Sequence, residues 1–178
     1  MPPRAEPVAP RPRLVPLSAR KEERLRPYAE RLLRFLERQA APEHTGPRAT
    51  LEQLAFTLQT RNEPMAARLA LLAHSLEELR ARLRGYLDGR PEPEHRFQGT
   101  ARAEQRAGTV PVHGLDESAL RQLAARWVEG AEPDWRALYP EGTPRRFPLP
   151  TYPFAGRSYW LPRSAPTRAP APAERLHP

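Results

Sequence analysis

Apolar residues recur along the middle of this chain with two different periods, and the change from one to the other outlines its elements. A short apolar run, Leu14 to Leu17, reads as a strand ending at Ser18. Ser18 stands where a helix N-cap is expected, with Glu22 and Glu23 following in the dipole-favoured first turns. Leu25, Tyr28, Ala29, Leu32 and Leu36 then repeat at helical spacing, so residues 19–39 are predicted to form a helix with one buried face. Pro27 lacks a donor and clashes with the preceding turn, which predicts a kink or a restart there. Thr50 and Gln53 have capping-box spacing ahead of the stripe Leu51, Leu54, Ala55 and Leu58. Ser75 and Glu78 repeat that spacing ahead of Leu76, Leu79, Leu83 and Leu87, with Gly89 as the stop.

Between these two helices, "ARLALLAH" is locally ambiguous. Propensity alone fuses residues 65–87 into one rod, whereas the cap at Ser75 predicts a break and Leu69 and Leu71 alternate as in a buried strand. "HRFQGTA", residues 95–101, is a further strand candidate, and Asp116 to Glu129 a last helix presenting Leu120, Leu123, Ala124, Trp127 and Val128. Strands interleaved with helices point to a small α/β sandwich. Leu14, Leu32, Leu36, Leu54, Leu58, Leu69, Leu71, Leu79 and Leu83 are the expected core.

Proline limits how far that core extends. Of the 24 prolines in 178 residues, many crowd the two ends, so both ends are expected to be extended or disordered. The net charge of +8 resides mostly in those ends and leaves the middle near neutrality, which is not the distribution of a nucleic-acid footprint. Nearly every basic residue is arginine, Lys21 being the one lysine. The absence of cysteine excludes disulfides, thiolate metal sites and a cysteine nucleophile. No apolar run is long enough to cross a bilayer and the start lacks a signal peptide's apolar core, so a cytoplasmic location is the default expectation.

The aromatic residues are placed unevenly. Trp127, Trp135, Tyr139, Phe147, Tyr152, Phe154, Tyr159 and Trp160 all lie in the last third of the chain, and "PLPTYPFAGRSYW", residues 148–160, sets four of them among three prolines. Proline holds such a stretch extended, where it forms neither helix nor ladder, so its rings need some other surface. Each ring covers roughly 150 to 250 Å², a gross gain of several kcal/mol for three or four rings at about 25 cal/mol per Å². Three readings compete: the tail folds back on its own domain, it is unstructured, or it is a strap along a neighbouring domain. The strap is preferred, with Leu149, Pro150 and Pro153 joining the eight aromatics as docking residues.

Three segments carry a family resemblance: "RLVPLSARKEERLRPYAERLLRFL", "TLEQLAFTLQTRNEPMAARLALLAHSLEELRARLRGYLDG" and "WVEGAEPDWRALYPEGTPRRFPLPTYPFAGRSYW". In that order they resemble the segments that follow a ketosynthase domain in modular polyketide synthases. The first two are similar to the linker, or flanking subdomain, between ketosynthase and acyltransferase. The third is similar to the linker after the acyltransferase, whose "LPTYPF" and "YW" strap the ketosynthase surface. The resemblance implies that residues 67–74 are a strand of a three-stranded sheet with two or three helices packed on it. It implies an α/β fold followed by an extended, proline- and aromatic-rich C-terminal strap. The expected divisions are a disordered lead over 1–13, the α/β subdomain over 14–101, a connection over 102–114, helix and strap over 115–161, and a disordered tail over 162–178. Only residues 101–115 stand where many assembly lines carry an acyltransferase, and no G-x-S-x-G elbow occurs, which resembles the type whose acyltransferase acts in trans. The implied partner is a ketosynthase domain, with a trans-acting acyltransferase or an acyl carrier protein as further candidates.

Catalysis is not expected. His44, His74, His95, His113 and His177 are scattered singly without metal-ligand spacing, Ser18 and Ser75 are explained as caps, and the glycines form no phosphate cradle. Neither metal nor cofactor is called for. Glu22/Glu23 and Glu77/Glu78 read as solvated charges at helix starts. The alternative from another class is a basic single-stranded nucleic-acid-binding protein, with Arg145, Arg146 and Arg157 interleaved among Tyr152, Phe154 and Trp160. A non-catalytic linker and scaffold module explains the prolines better, and no nucleic acid or membrane is expected as partner.

Overall fold

The computed structural model describes residues 10–61, 63–102, 109–112 and 115–150. Residues 1–9 of the expected lead, most of the 102–114 connection, and Tyr152, Pro153, Phe154, Tyr159 and Trp160 lie outside the described residues, and Arg13 of that lead is the first residue of β1. Three strands, β1 (Arg13–Ala19), β2 (Ala67–Ala73) and β3 (Arg96–Thr100), form an antiparallel sheet in the order β1-β2-β3. The helices are α1 (Leu25–Ala40), α2 (Leu51–Thr60), α3 (Leu76–Leu87) and α4 (Glu117–Glu129). A short parallel pair, β4 (Thr109–Val110) with β5 (Glu132–Pro133), brackets α4 and was not foreseen.

β2 settles the conflict between propensity and pattern. All seven of its residues are buried, because it is the central strand with helices on both faces. Ala67, Leu69, Leu71 and Ala73 join Val15 and Leu17 beneath α1 and α3, while Ala70 and Leu72 join Leu14 beneath α4. A strand covered on both sides reads as a continuous apolar run and is decided by burial rather than by local preference. The sheet is therefore the middle of three layers. Pro16 is tolerated because β1 is an edge strand, whose outer side meets α2. Of the expected core, Leu58 is only half-buried and the other eight leucines are buried.

The caps follow the sequence with two corrections. At α2 the capping box is complete: Thr50 accepts from the Gln53 amide at 3.1 Å, and Gln53 accepts from the Thr50 amide at 3.1 Å. At α3, Ser75 accepts from the Glu78 amide, but Glu78 turns away to accept from the His74 amide at 2.7 Å and to pair with Arg82. That helix ends as expected, with Gly89 at φ +72° and the Arg90 amide reaching back to the Gly85 carbonyl at 2.8 Å. Ser18 caps no helix. The strand continues through it, and its hydroxyl accepts from the Met65 amide at 3.0 Å. Pro27 needs no kink, because a 3-10 turn over Glu22–Arg24 precedes α1 and leaves Pro27 in the first helical turn, where an amide has no partner to lose.

α4 is seated by two features of the sheet. Gly99 on β3 faces it so closely that an added Cβ would lie 2.8 Å from the Val128 carbonyl oxygen. Arg68 on β2 is 1% exposed, and its guanidinium donates to the Trp127 carbonyl at 2.7 Å and the Ala131 carbonyl at 3.1 Å. A cation at the C-terminal end of a helix meets the negative end of its dipole, and here it adds a second donor to the Trp127 carbonyl, which also accepts from the Gly130 amide at 3.1 Å.

Candidate docking surface

The residues after α4 cross back over the domain that precedes them. A 3-10 turn, Trp135–Leu138, sets the Trp135 ring against Trp127 in edge-on geometry with centroids 6.2 Å apart. Trp127 is 3% exposed, so almost all of its surface is used inside the second core. Trp135 is half-buried.

Tyr139 is 5% exposed and meets the Phe56 ring edge-on at 5.1 Å. Its hydroxyl donates to Gln59 Oε1 at 2.8 Å, and Gln59 Nε2 donates to the Leu14 carbonyl at 2.8 Å, tying tail, α2 and β1 together. The Arg13 guanidinium lies 5.4 Å from the ring centroid. Burial lifts the Tyr139 phenol well above the ordinary tyrosine range, with Arg13 and the Gln59 hydrogen bond pulling the other way and Glu52 adding to the rise.

The proline-rich stretch beyond Tyr139 lies along α1 and α2. Phe147 packs edge-on against Phe35 at 6.2 Å, and its amide donates to Thr57 Oγ1 at 2.9 Å. Leu149 is 9% exposed and joins the first core. Arg146 donates to the Thr60 carbonyl at 3.0 Å, while Arg61 Nη1 donates to the Leu149 carbonyl at 3.2 Å and to the half-buried Pro150 at 3.3 Å. Of the docking residues expected from the sequence, Trp127, Tyr139 and Leu149 are thus spent within the domain. Trp135, Phe147 and Pro150 keep part of their surface free.

The polar partners of the tail were missed by sequence reading. Thr57 and Gln59 are buried polar residues on a helix chosen for its leucine stripe, and they stand on positions that only a returning chain would explain. A second gathering was also unforeseen. His74 Nε2 lies 3.4 Å from Glu117 Oε2 and His95 Nε2 lies 3.2 Å from Glu117 Oε1, where the sequence had them isolated. Burial would raise Glu117, but Arg121, His74 and His95 together hold its carboxyl below the usual range. Glu78 is likewise held low against its burial, by the His74 amide and Arg82. Glu78 is half-buried and paired, whereas Glu22, Glu23 and Glu77 are exposed as expected, Glu22 accepting from Gln98 at 2.6 Å. No cluster able to hold a metal ion occurs among the described residues. No helix among them is long and apolar enough to cross a membrane.

A three-layer α/β module whose own C-terminal segment is laid across it is a joining element rather than a pocketed one. Its relatives agree: residues 16–90 match the RhiE-like, KS-MAT linker domain. The chain is 38% identical over 170 residues to polyketide synthase PksL of Bacillus subtilis, covering 93% of this chain and 4% of that protein. It is 38% identical over 184 residues to polyketide synthase ThaG of Burkholderia thailandensis, covering 97% of this chain and 3% of that protein. The ketosynthase from module 6 of the bacillaene synthase of Bacillus subtilis superposes with a TM-score of 0.65 at 36% identity, over 85% of this chain and 27% of that one. An oxazolomycin ketosynthase domain from Streptomyces albus gives 0.64 at 34% identity, over 91% and 24%. Residues 16–90 are a linker domain of modular polyketide synthases, of the RhiE-like KS-MAT family that accompanies a ketosynthase. The chain spans a few per cent of the synthases and about a quarter of the solved ketosynthase chains.

Proposed function

We propose that this chain is a non-catalytic scaffold of a polyketide assembly line, docking on a ketosynthase and fixing the distance and direction of the neighbouring domains. The observation that carries the reading is the laying down of residues 135–150 over the α/β domain, which delivers the next aromatic cluster, Tyr152 to Trp160, from a defined place on the surface. Tyr152, Pro153, Phe154, Tyr159 and Trp160 then pin the chain onto the ketosynthase, with the exposed faces of Trp135, Phe147 and Pro150 beside them. Trp127, Tyr139 and Leu149 serve that docking indirectly, by holding the tail to its own domain.

Support for a trans-acting acyltransferase comes from the continuity of the alignments. With PksL, 170 aligned residues take in 93% of this chain, which leaves no room for an inserted domain of several hundred residues between the two linker halves. The open α/β surface would then serve a trans-acting acyltransferase or an acyl carrier protein in weak, transient contact, within the cytoplasm. The same reading divides the chain into the α/β unit over 14–101 and the helix and strap over 115–161.

The test is a binding measurement between the full chain and a bacillaene-type ketosynthase prepared without its own linker. Changing Phe154 and Trp160 together to alanine should weaken association by at least tenfold while leaving thermal unfolding unchanged. Unaltered binding would sink the strap. Nucleic-acid binding predicts instead an affinity that falls steeply with salt, whereas docking through buried rings does not.

A further inference from the structure

The strap between Arg146 and Pro150 presents an unusual problem of attachment. Pro148 and Pro150 have no N–H, so this stretch cannot be held by a strand ladder and offers chiefly carbonyl oxygens. Its carbonyls call for donors from the domain. The C-terminal end of α2 supplies one, with Arg61 Nη1 donating to two successive carbonyls, Leu149 at 3.2 Å and Pro150 at 3.3 Å. Arg146 closes the clasp from the other side on the Thr60 carbonyl at 3.0 Å, and Thr57 takes the Phe147 amide at 2.9 Å. A guanidinium suits the task because its diverging N–H groups reach more than one acceptor, which a single ammonium does less well. These bonds hold Leu149 at the edge of the first core, whose other leucines are buried without them.

We propose that Arg61 is a positioning residue: with Arg146 it clasps the strap at Leu149 and Pro150, so that the aromatic ribbon sets out toward its partner from a fixed point at the end of α2. The inference rests on the docking reading above and adds the device that aims the ribbon. Phe147 and Leu149 are expected to come loose with the clasp, which leaves Tyr139 as the nearest held residue, 21 before Trp160 where Pro150 is ten. A tether twice as long dilutes its end, and effective concentration falls as about the −3/2 power of length, so losing the clasp should weaken docking about threefold.

The experiment compares the full chain with Arg61→Met/Arg146→Met, and with Arg38→Met/Arg145→Met as a control for the same loss of charge at two exposed arginines. Two quantities are read: amide exchange at Phe147, and affinity for the bacillaene-type ketosynthase without its linker. The clasp variant should exchange at Phe147 at least tenfold faster and bind about threefold more weakly than the control, with equal melting temperatures. Arg61→Lys should restore only part of either effect. Should the clasp variant bind like the control while Phe154→Ala/Trp160→Ala weakens binding, Arg61 does not aim the ribbon, although the strap stands. If the ring substitutions also leave binding unchanged, docking by the ribbon fails and the aiming role fails with it. Unchanged exchange at Phe147 overturns the clasp irrespective of the partner.

Discussion

Replacing Arg68 by methionine tests how α4 is held to the sheet. The substitution keeps an unbranched side chain of similar length and removes the guanidinium, which lies 5.2 Å from the Trp127 ring and donates to the Trp127, Ala131 and Met65 carbonyls at 2.7, 3.1 and 3.0 Å. A hydrogen bond from a charged donor contributes about 1.5 to 3 kcal/mol, and a buried acceptor left without a partner costs about 1 to 3 kcal/mol. Against this, methionine no longer carries the desolvation cost of a buried cation, which offsets several kcal/mol of the gross loss. The Ala131 carbonyl decides the sign, since it stays beside α4 whichever side chain faces it, while the Trp127 carbonyl keeps the Gly130 amide at 3.1 Å. The net loss is about 2 to 4 kcal/mol, a large part of the roughly 5 to 15 kcal/mol that stabilises a domain. At about 2 to 4 °C per kcal/mol for a chain of this size, the melting temperature should fall by about 4 to 16 °C. Thermal unfolding followed by circular dichroism gives the number, with exposed Arg38→Met, expected within about 0.5 kcal/mol of the parent, as the control. A melting temperature for Arg68→Met equal to or above that of the control would refute the reasoning, because the desolvation relief would then match everything the carbonyls lose.

Gly99→Ala should destabilise by about 1 to 3 kcal/mol, since its Cβ would lie 2.8 Å from a backbone oxygen that moves only with α4; denaturant titration checks it, and a neutral result would mean that α4 sits further from β3. Tyr139→Phe removes the bond to Gln59 and should cost about 1 kcal/mol at neutral pH. The same variant has an alkaline signature. Because burial raises the folded-state phenol, the unfolded chain ionises first, so the contribution of Tyr139 is complete below about pH 10 and is lost as pH rises through and beyond that value. Stability of the parent should therefore fall more steeply above about pH 10 than that of Tyr139→Phe, and parallel curves would count against the buried phenol.

Much of the architecture was legible because it depends on short-range chemistry. The Thr50 box, the Ser75 cap, the Gly89 stop and the leucine stripes of α1 to α4 are set by neighbours three or four residues apart, and the structure places them where the spacing does. Ser18 was misread since the same hydroxyl serves a cap or a distant amide equally well, and only the pairing of β1 with β2 brings Met65 within reach. The family resemblance, carried by the same stretches, identified the linker.

By itself the sequence determined where α2, α3 and α4 begin and that the middle of the chain folds, and it raised the expectation that the aromatic tail needs a surface. Tertiary structure alone decided which surface receives residues 135–150, and that Arg68, Gly99, Thr57, Gln59 and Arg61 are the residues that hold α4 and the strap in place. The physical reason is range. Caps and stripes act within one or two turns of a helix, whereas a buried arginine or a clasped carbonyl acquires its meaning from a partner about sixty to ninety residues away, which no local pattern records.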